Sequence, residues 1–138
     1  MIPKTIHIVW VGDQAKRPNN CIATWVEKNP TWKVKIWTDA ELRANTWVNM
    51  GHINQMYRKE LNGVADMMRY EILYNEGGFA VDADSVCVKP LEDWLFDLPV
   101  TTCFENERIR PGLLAAGYLA AEPGNAFIKH VIDDISAM

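Results

Sequence analysis

GVADMMRYEILYNEGGFAVDADS, residues 63–85, decides the reading of the fold. Ala65, Met68, Ile72 and Leu73 recur at intervals of three and four, the spacing of an amphipathic helix over 63–76. Asn62 offers an N-cap, and Gly77-Gly78 ends the helix in the manner open to glycine. Phe79-Ala80-Val81 follows as an apolar run, read as a strand that Asp82-Ala83-Asp84 interrupts.

Upstream, IHIVWV (6–11) is a β-rich apolar run ending at Gly12-Asp13 and reads as a buried strand. A polar stretch covers 14–20. Cys21, Trp25 and Val26 then fall at helical spacing, and Asn29-Pro30 stops that helix. WKVKIW (32–37) alternates Trp, Val and Ile with Lys, so it reads as a strand with one wet face. Thr38-Asp39 opens a short helix around 41–44, whereas 45–56 has no decisive pattern. Downstream, 86–88 resumes the strand and Pro90 closes it, and 91–95 reads as a helical turn. Residues 100–105 and 115–121 read as strands, Pro123-Gly124-Asn125 as a turn and 126–136 as a last helix. The order β-α-β-α-α-β-α-β-β-α predicts an α/β sandwich with a mainly parallel sheet. Ligands of such sheets bind beyond the carboxyl ends of the strands, which puts residues 10–13, 38–39 and 82–84 on one rim.

Composition narrows the classes. A length of 138 residues, 49% hydrophobic and 23% charged, fits a single globular domain over 1–138. Fourteen basic against eighteen acidic residues give a net charge of −4 with no local basic patch, which disfavours a nucleic-acid partner. Cys21, Cys87 and Cys103 form no metal or redox motif and read as reduced thiols of a cytoplasmic protein. No apolar run reaches the length of a membrane span, the longest being 113–121. Six Trp residues are a surplus of a kind that often lines ring-stacking sites.

The acidic pair Asp82 and Asp84 is the sharpest chemical feature. If the strand continued regularly, both carboxylates would point to one face and offer hard oxygens to Mg²⁺ or Mn²⁺, and the ion could hold a diphosphate. Alone, the pair reads sooner as a solvated turn, since about one D-x-D is expected by chance in such a chain. Asp66 and Arg69, three apart, share a helix face that leads into this strand. They read either as a surface ion pair worth under about 1 kcal/mol or as groups that hold a phosphate and sugar hydroxyls. Trp10 ends the first strand on the same rim, either as a core aromatic or as a platform for a nucleobase, and Gly12 lets the backbone approach a ligand. His7, His52 and His130 share no metal spacing, and His7 reads as structural.

Taken together, IPKTIHIVWVG (2–12), NPTWKVKIWTD (29–39) and VADMMRYEILYNEGGFAVDADS (64–85) resemble the DXD-containing glycosyltransferases. These include fungal initiating α-1,6-mannosyltransferases, bacterial capsule-type sugar transferases and the catalytic domains of large clostridial glucosylating toxins. AAGYLAAEPGNAF (115–127) resembles a later segment more loosely. The resemblance implies a GT-A fold and a retaining transfer from a nucleotide sugar, most simply UDP-glucose or another UDP-sugar, to a saccharide or other acceptor, assisted by Mn²⁺ or Mg²⁺. It implies that Val9, Trp10, Val11 and Gly12 meet the base, with Trp10 stacking on it. Asp66 and Arg69 would hold the donor sugar, Asp82 the ribose and metal shell, Ala83 the donor's edge, and Asp84 the metal directly.

Three departures accompany the resemblance. Ala80 stands where the family usually has Tyr, Gly117 where an Asn is common, and Pro123-Gly124-Asn125-Ala126 where the turn is Pro-Gly-His-Pro-like. The family's catalytic domains are longer, so the chain reads as a minimal or truncated member, and a homo-oligomer that covers an apolar edge stays open. Two other readings stand beside this one. The chain could be a nucleotide-sugar-binding remnant without turnover. Alternatively, DADSV (82–86) could serve a haloacid-dehalogenase-type phosphatase, with Asp133-Asp134 as its later acidic pair.

Overall fold

A computed structural model of the chain describes the backbone of residues 1–106 and 110–138 and the side chains of residues 1–102 and 117–138. In chain order the elements are β1 (Thr5–Val9), α1 (Asn19–Lys28), β2 (Lys33–Trp37), α2 (Asp39–Ala44), α3 (Met50–Tyr57) and α4 (Leu61–Glu76). β3 (Gly78–Val81), β4 (Val100–Asn106), β5 (Arg110–Ala121) and α5 (Ala126–Ser136) complete them.

One five-stranded sheet has the order β2-β1-β3-β5-β4. β1 pairs parallel with β2 and β3, while β5 runs antiparallel to both β3 and β4. The α/β sandwich read from the sequence is therefore present. Its parallel part is the half that ends on the rim, and the later strands form an antiparallel pair, which needs no crossover helix.

Alternation along the strands sorts the core onto two faces. Ile6, Ile8, Val81 and Ala120 pack against Ile22 and Trp25 of α1 and against Trp32 and Phe96. On the opposite face Val9 and Trp37 meet Val64, Met68 and Ile72 of α4, and Ala80, Leu119 and Ala121 meet Leu73 of α4 with Ile128 and Ile132 of α5. The stripe predicted for α4 is thus buried, each large side chain on it contributing roughly 1.5–3 kcal/mol. Four of the six Trp residues (25, 32, 37 and 47) are buried, so most of the surplus is core packing and only Trp10 lies on the rim.

His7 is buried on β1, as a structural histidine would be. Its Nδ1 accepts the Trp37 indole N–H at 3.1 Å, and its Nε2 lies 2.8 Å from the Gly77 carbonyl. Indole only donates and a carbonyl only accepts, so the ring is neutral with its proton on Nε2. Burial is the largest influence and holds its pKa below the ordinary histidine value.

Several boundaries differ from the sequence reading. α4 begins at Leu61, with Glu60 at its N-cap and Asn62 inside it, because α3 turns straight into it: the Lys59 and Glu60 amides both bond to the Met56 carbonyl. The undecided stretch contains α3, whose start is secured by the buried Glu71 carboxylate accepting the Val48 and Asn49 amides. Residues 86–88 join no strand, since the Cys87 amide bonds to Thr24 Oγ of α1. Cys21 and Cys87 are free thiols, and the side chain of Cys103 lies outside the described residues.

Candidate active site

The carboxyl ends of β1, β2 and β3 open on one rim, as parallel pairing requires. At the end of β3 the strand does not continue. The Asp82 carbonyl accepts the Ser85 amide at 3.1 Å and the Ser85 hydroxyl at 2.5 Å, and Trp25 Nε1 in turn donates to Ser85. Asp82 and Asp84 therefore sit on a tight turn rather than on one face of a continuing strand. Ala83 is buried, Asp82 is half-exposed and Asp84 is exposed.

Arg69 organises the centre of this rim. Its guanidinium is only 3% exposed, held at 2.8 Å from Asp66 Oδ1 and 3.0 Å from Asp82 Oδ1. The i, i+3 spacing on α4 brings Asp66 to the same face, and the α4–β3 connection brings Asp82. A planar guanidinium held between two carboxylates fixes both of them at the rim, where the half-exposed Asp66 and Asp82 can meet a polar ligand. Burial raises the pKa of Asp66, Arg69 counters that, and the charge of Asp82 adds to the rise. The site thus holds a carboxyl that is easier to protonate than an ordinary aspartate.

Gly117 on β5 is the matching surface. Its carbonyl accepts the Asp82 amide at 3.0 Å, and a Cβ there would lie 2.2 Å from Asp82 Oδ2. The bare Cα makes room for the Asp82 carboxylate in the position that reaches Arg69. Sequence reading noted Gly117 only as a departure from an Asn.

Two carboxylates on a turn suit a divalent cation whose remaining positions come from a diphosphate and water. Among the described residues no group of three or more His, Cys, Asp or Glu side chains gathers into a self-sufficient metal site. The two carboxylates present fit part of the oxygen shell of such an ion.

A second group of residues lies after β1. Val9 and Val11 turn their side chains into the core. Trp10 is half-buried, its indole N–H donating to the Asp13 carbonyl at 3.0 Å. Gly12 has φ +100°, and a Cβ there would meet Leu61 of α4 at 2.6 Å, so only glycine fits. The Gly12 amide donates to Asp39 Oδ2 at 2.9 Å, the Gln14 amide group reaches both the Trp10 carbonyl and Asp39, and Tyr57 donates to Asp39 Oδ1 at 2.5 Å. Partial burial pulls the Asp39 pKa up, but the Tyr57, Gly12 and Gln14 hydrogen bonds outweigh it and the net direction is down. Asp39, Tyr57 and Gln14 were missed as site residues. Asp39 read as the start of a helix on the rim but was given no role, and Tyr57 adjoins the stretch without a pattern.

The structure thus joins Asp66, Arg69 and Asp82 directly and places Trp10, Val11 and Gly12 in a neighbouring network on the same rim. Asp84 makes no hydrogen bond or ion pair among the described residues. Asp133 and Asp134, required by the phosphatase reading, are exposed on α5 and paired with Lys129 and His130.

Comparison with known proteins adds independent findings. Residues 15–100 match the family model described as a glycosyltransferase sugar-binding region containing a DXD motif. The chain is 29% identical over 121 residues to subversion of eukaryotic traffic protein A of Legionella pneumophila, covering 69% of this chain and 19% of that protein. It is 31% identical over 103 residues to the initiation-specific α-1,6-mannosyltransferase of Candida albicans, covering 67% and 27%. The solved structure of the PaToxG glycosyltransferase shares the fold, with a TM-score of 0.80 over 98% of this chain and 61% of that one at 16% identity. The matched region spans roughly a fifth to a quarter of the two relatives' own lengths.

Proposed function

The chain belongs to the family of glycosyltransferases whose sugar-binding region contains a DXD motif, and on that premise we propose that it is the donor-binding core of a metal-dependent glycosyltransferase. The donor is a nucleotide sugar, with UDP-glucose the leading candidate. The single observation that carries the reading is the buried Arg69 fixed between Asp66 and the first DXD aspartate at the end of a parallel strand.

The division of labour follows from the residues. Trp10 stacks on the base, with the main chain of Val9, Val11 and Gly12 along its edge. Asp66 accepts from sugar hydroxyls, and Arg69 orients both the sugar and Asp82. Asp82 and Asp84, flanking Ala83, would hold Mn²⁺ or Mg²⁺. When bound, that ion supplies Lewis-acid neutralisation of the leaving diphosphate. Arg69 adds fixed positive charge in a site where it needs no reorganisation as the leaving group forms. The transfer is proposed to be retaining. In the absence of an acceptor, water takes the sugar slowly.

The relative named as a mannosyltransferase favours a second donor, a nucleotide-activated mannose. Titrating the protein with UDP and with GDP, each with and without Mn²⁺, then incubating it with a panel of nucleotide sugars, separates these donors. Metal-dependent binding with nucleotide release from one donor supports the transferase reading. Binding without release identifies a nucleotide-sugar-binding remnant, and no binding of either nucleotide overturns the proposal.

A further inference from the structure

We propose that Asp39 is a positioning residue for the nucleobase platform, acting through the 10–14 loop on Trp10; this deepens the donor reading above and rests on it. Asp39 is the first residue of α2, with Thr38 as N-cap, so its own backbone is fixed by a capping box. Its carboxylate does not turn back on that helix. One oxygen accepts the Gly12 amide at 2.9 Å and Gln14 Nε2 at 3.3 Å, and the other accepts the Tyr57 hydroxyl at 2.5 Å.

Two of those bonds hold the middle of the 10–14 loop, whose start is fixed by the Trp10 amide on the Trp37 carbonyl and whose end by the Asp13 carboxylate on the Ala15 amide. Gly12 is in the left-handed region, and Leu61 closes the space beside it. Gln14 spans the loop, donating to the Trp10 carbonyl at 2.9 Å while it reaches Asp39. The Trp10 ring is anchored to this same loop through its bond to the Asp13 carbonyl. Indole orientation therefore follows loop conformation, and loop conformation follows Asp39. Tyr57 carries the connection on to α3, so the platform is tied to the helix that turns directly into α4, where Asp66 and Arg69 stand. A stacked base is worth binding energy only if the ring is already in place, since ordering it on binding subtracts from affinity.

The test compares wild-type protein with Asp39→Ala, Asp39→Asn and Trp10→Ala, and with both Asp39 substitutions in the Trp10→Ala background. Each is titrated calorimetrically with UDP and, separately, with inorganic pyrophosphate in the presence of Mn²⁺. Loss of two to three hydrogen bonds to a carboxylate predicts that Asp39→Ala weakens UDP by about tenfold or more while pyrophosphate changes by less than about twofold. Asp39→Asn keeps the size and one acceptor and falls between; if Asp39→Ala does not fold, it carries the test. In the Trp10→Ala background neither Asp39 substitution weakens UDP further. Equal losses for UDP and pyrophosphate, no loss for UDP, or full additivity with Trp10→Ala overturns the assignment. If the wild-type protein binds pyrophosphate but not UDP, the base-stacking reading itself has failed and the inference falls with it.

Discussion

Replacing Gly117 by Ala places a methyl group where the Asp82 carboxylate lies. The new Cβ would sit 2.2 Å from Asp82 Oδ2, 2.9 Å from its Cγ and 3.3 Å from its Oδ1. The first two are closer than a real Cβ comes and the third is tight, and Gly117 is on β5 with its register to β3 fixed, so the carboxylate must move. Moving it breaks the 3.0 Å bond to Arg69. Hydrogen bonds to charged groups contribute about 1.5–3 kcal/mol. Because Asp82 is half-exposed and water replaces part of what it loses, the lower end applies: about 1.5 kcal/mol, or roughly tenfold in an equilibrium constant. The expected result is a Gly117→Ala protein that folds, with Mn²⁺-dependent UDP affinity reduced about tenfold. The decisive control is the Asp82→Ala background. There the carboxylate that the methyl would displace is gone, so Gly117→Ala costs no further affinity. An affinity within twofold of wild type for the single variant, or the same tenfold loss in the Asp82→Ala background, refutes the claim that Gly117 exists to seat this carboxylate.

Three further expectations follow from the same geometry. Asp82→Ala with Asp84→Ala removes the only two carboxylates of the DXD turn, so UDP binding loses its dependence on Mn²⁺; retained dependence in titrations with and without the ion moves the metal site elsewhere. Trp10→Ala weakens UDP by about 5- to 150-fold, the range that 1–3 kcal/mol of stacking predicts, while pyrophosphate binding is unchanged; an unchanged UDP affinity rejects the stacking role. The third concerns pH. His7 is neutral in the fold with its pKa depressed, so its contribution to stability is complete above the unfolded value of about 6.5 and is lost as the pH falls through the folded one. Urea unfolding followed from pH 7.5 to 5 should show stability declining below about pH 6.5 by up to about 1.4 kcal/mol per unit, and a flat profile contradicts the neutral assignment.

How far the sequence alone reaches is clear from particular residues. The helix carrying Asp66 and Arg69, the strand that ends at the DXD and the common rim were all legible, because apolar spacing and Gly-Gly punctuation are local signals. The start of α4 was not, since Leu61 is drawn into the helix by the turn from α3, where the Lys59 and Glu60 amides both bond to the Met56 carbonyl. The turn at 82–85 overrode the apolar residues after it because Ser85 captures the Asp82 carbonyl. Asp39, Tyr57 and Gln14 meet only through tertiary contacts at separations of 18 to 27 residues, and no spacing rule reaches that far. Gly117 was visible as a departure from the family pattern, but its meaning lay in the carboxylate opposite.

The bonds that His7 makes also bear on how the chain reaches this structure. One joins it to Trp37, 30 residues on, and the other to Gly77, 70 residues on. β1 thus has one neighbour available early and the other only after α1 to α4 have been made. Such long-range pairing slows folding, because the intervening loop must close before any contact compensates its lost entropy. A nascent chain shorter than about 80 residues would carry β1 with one edge bare, and a bare apolar strand edge is what chaperones and aggregates both capture. The imidazole that closes this gap is therefore a late contact, and variants at His7 should speed unfolding far more than they slow folding.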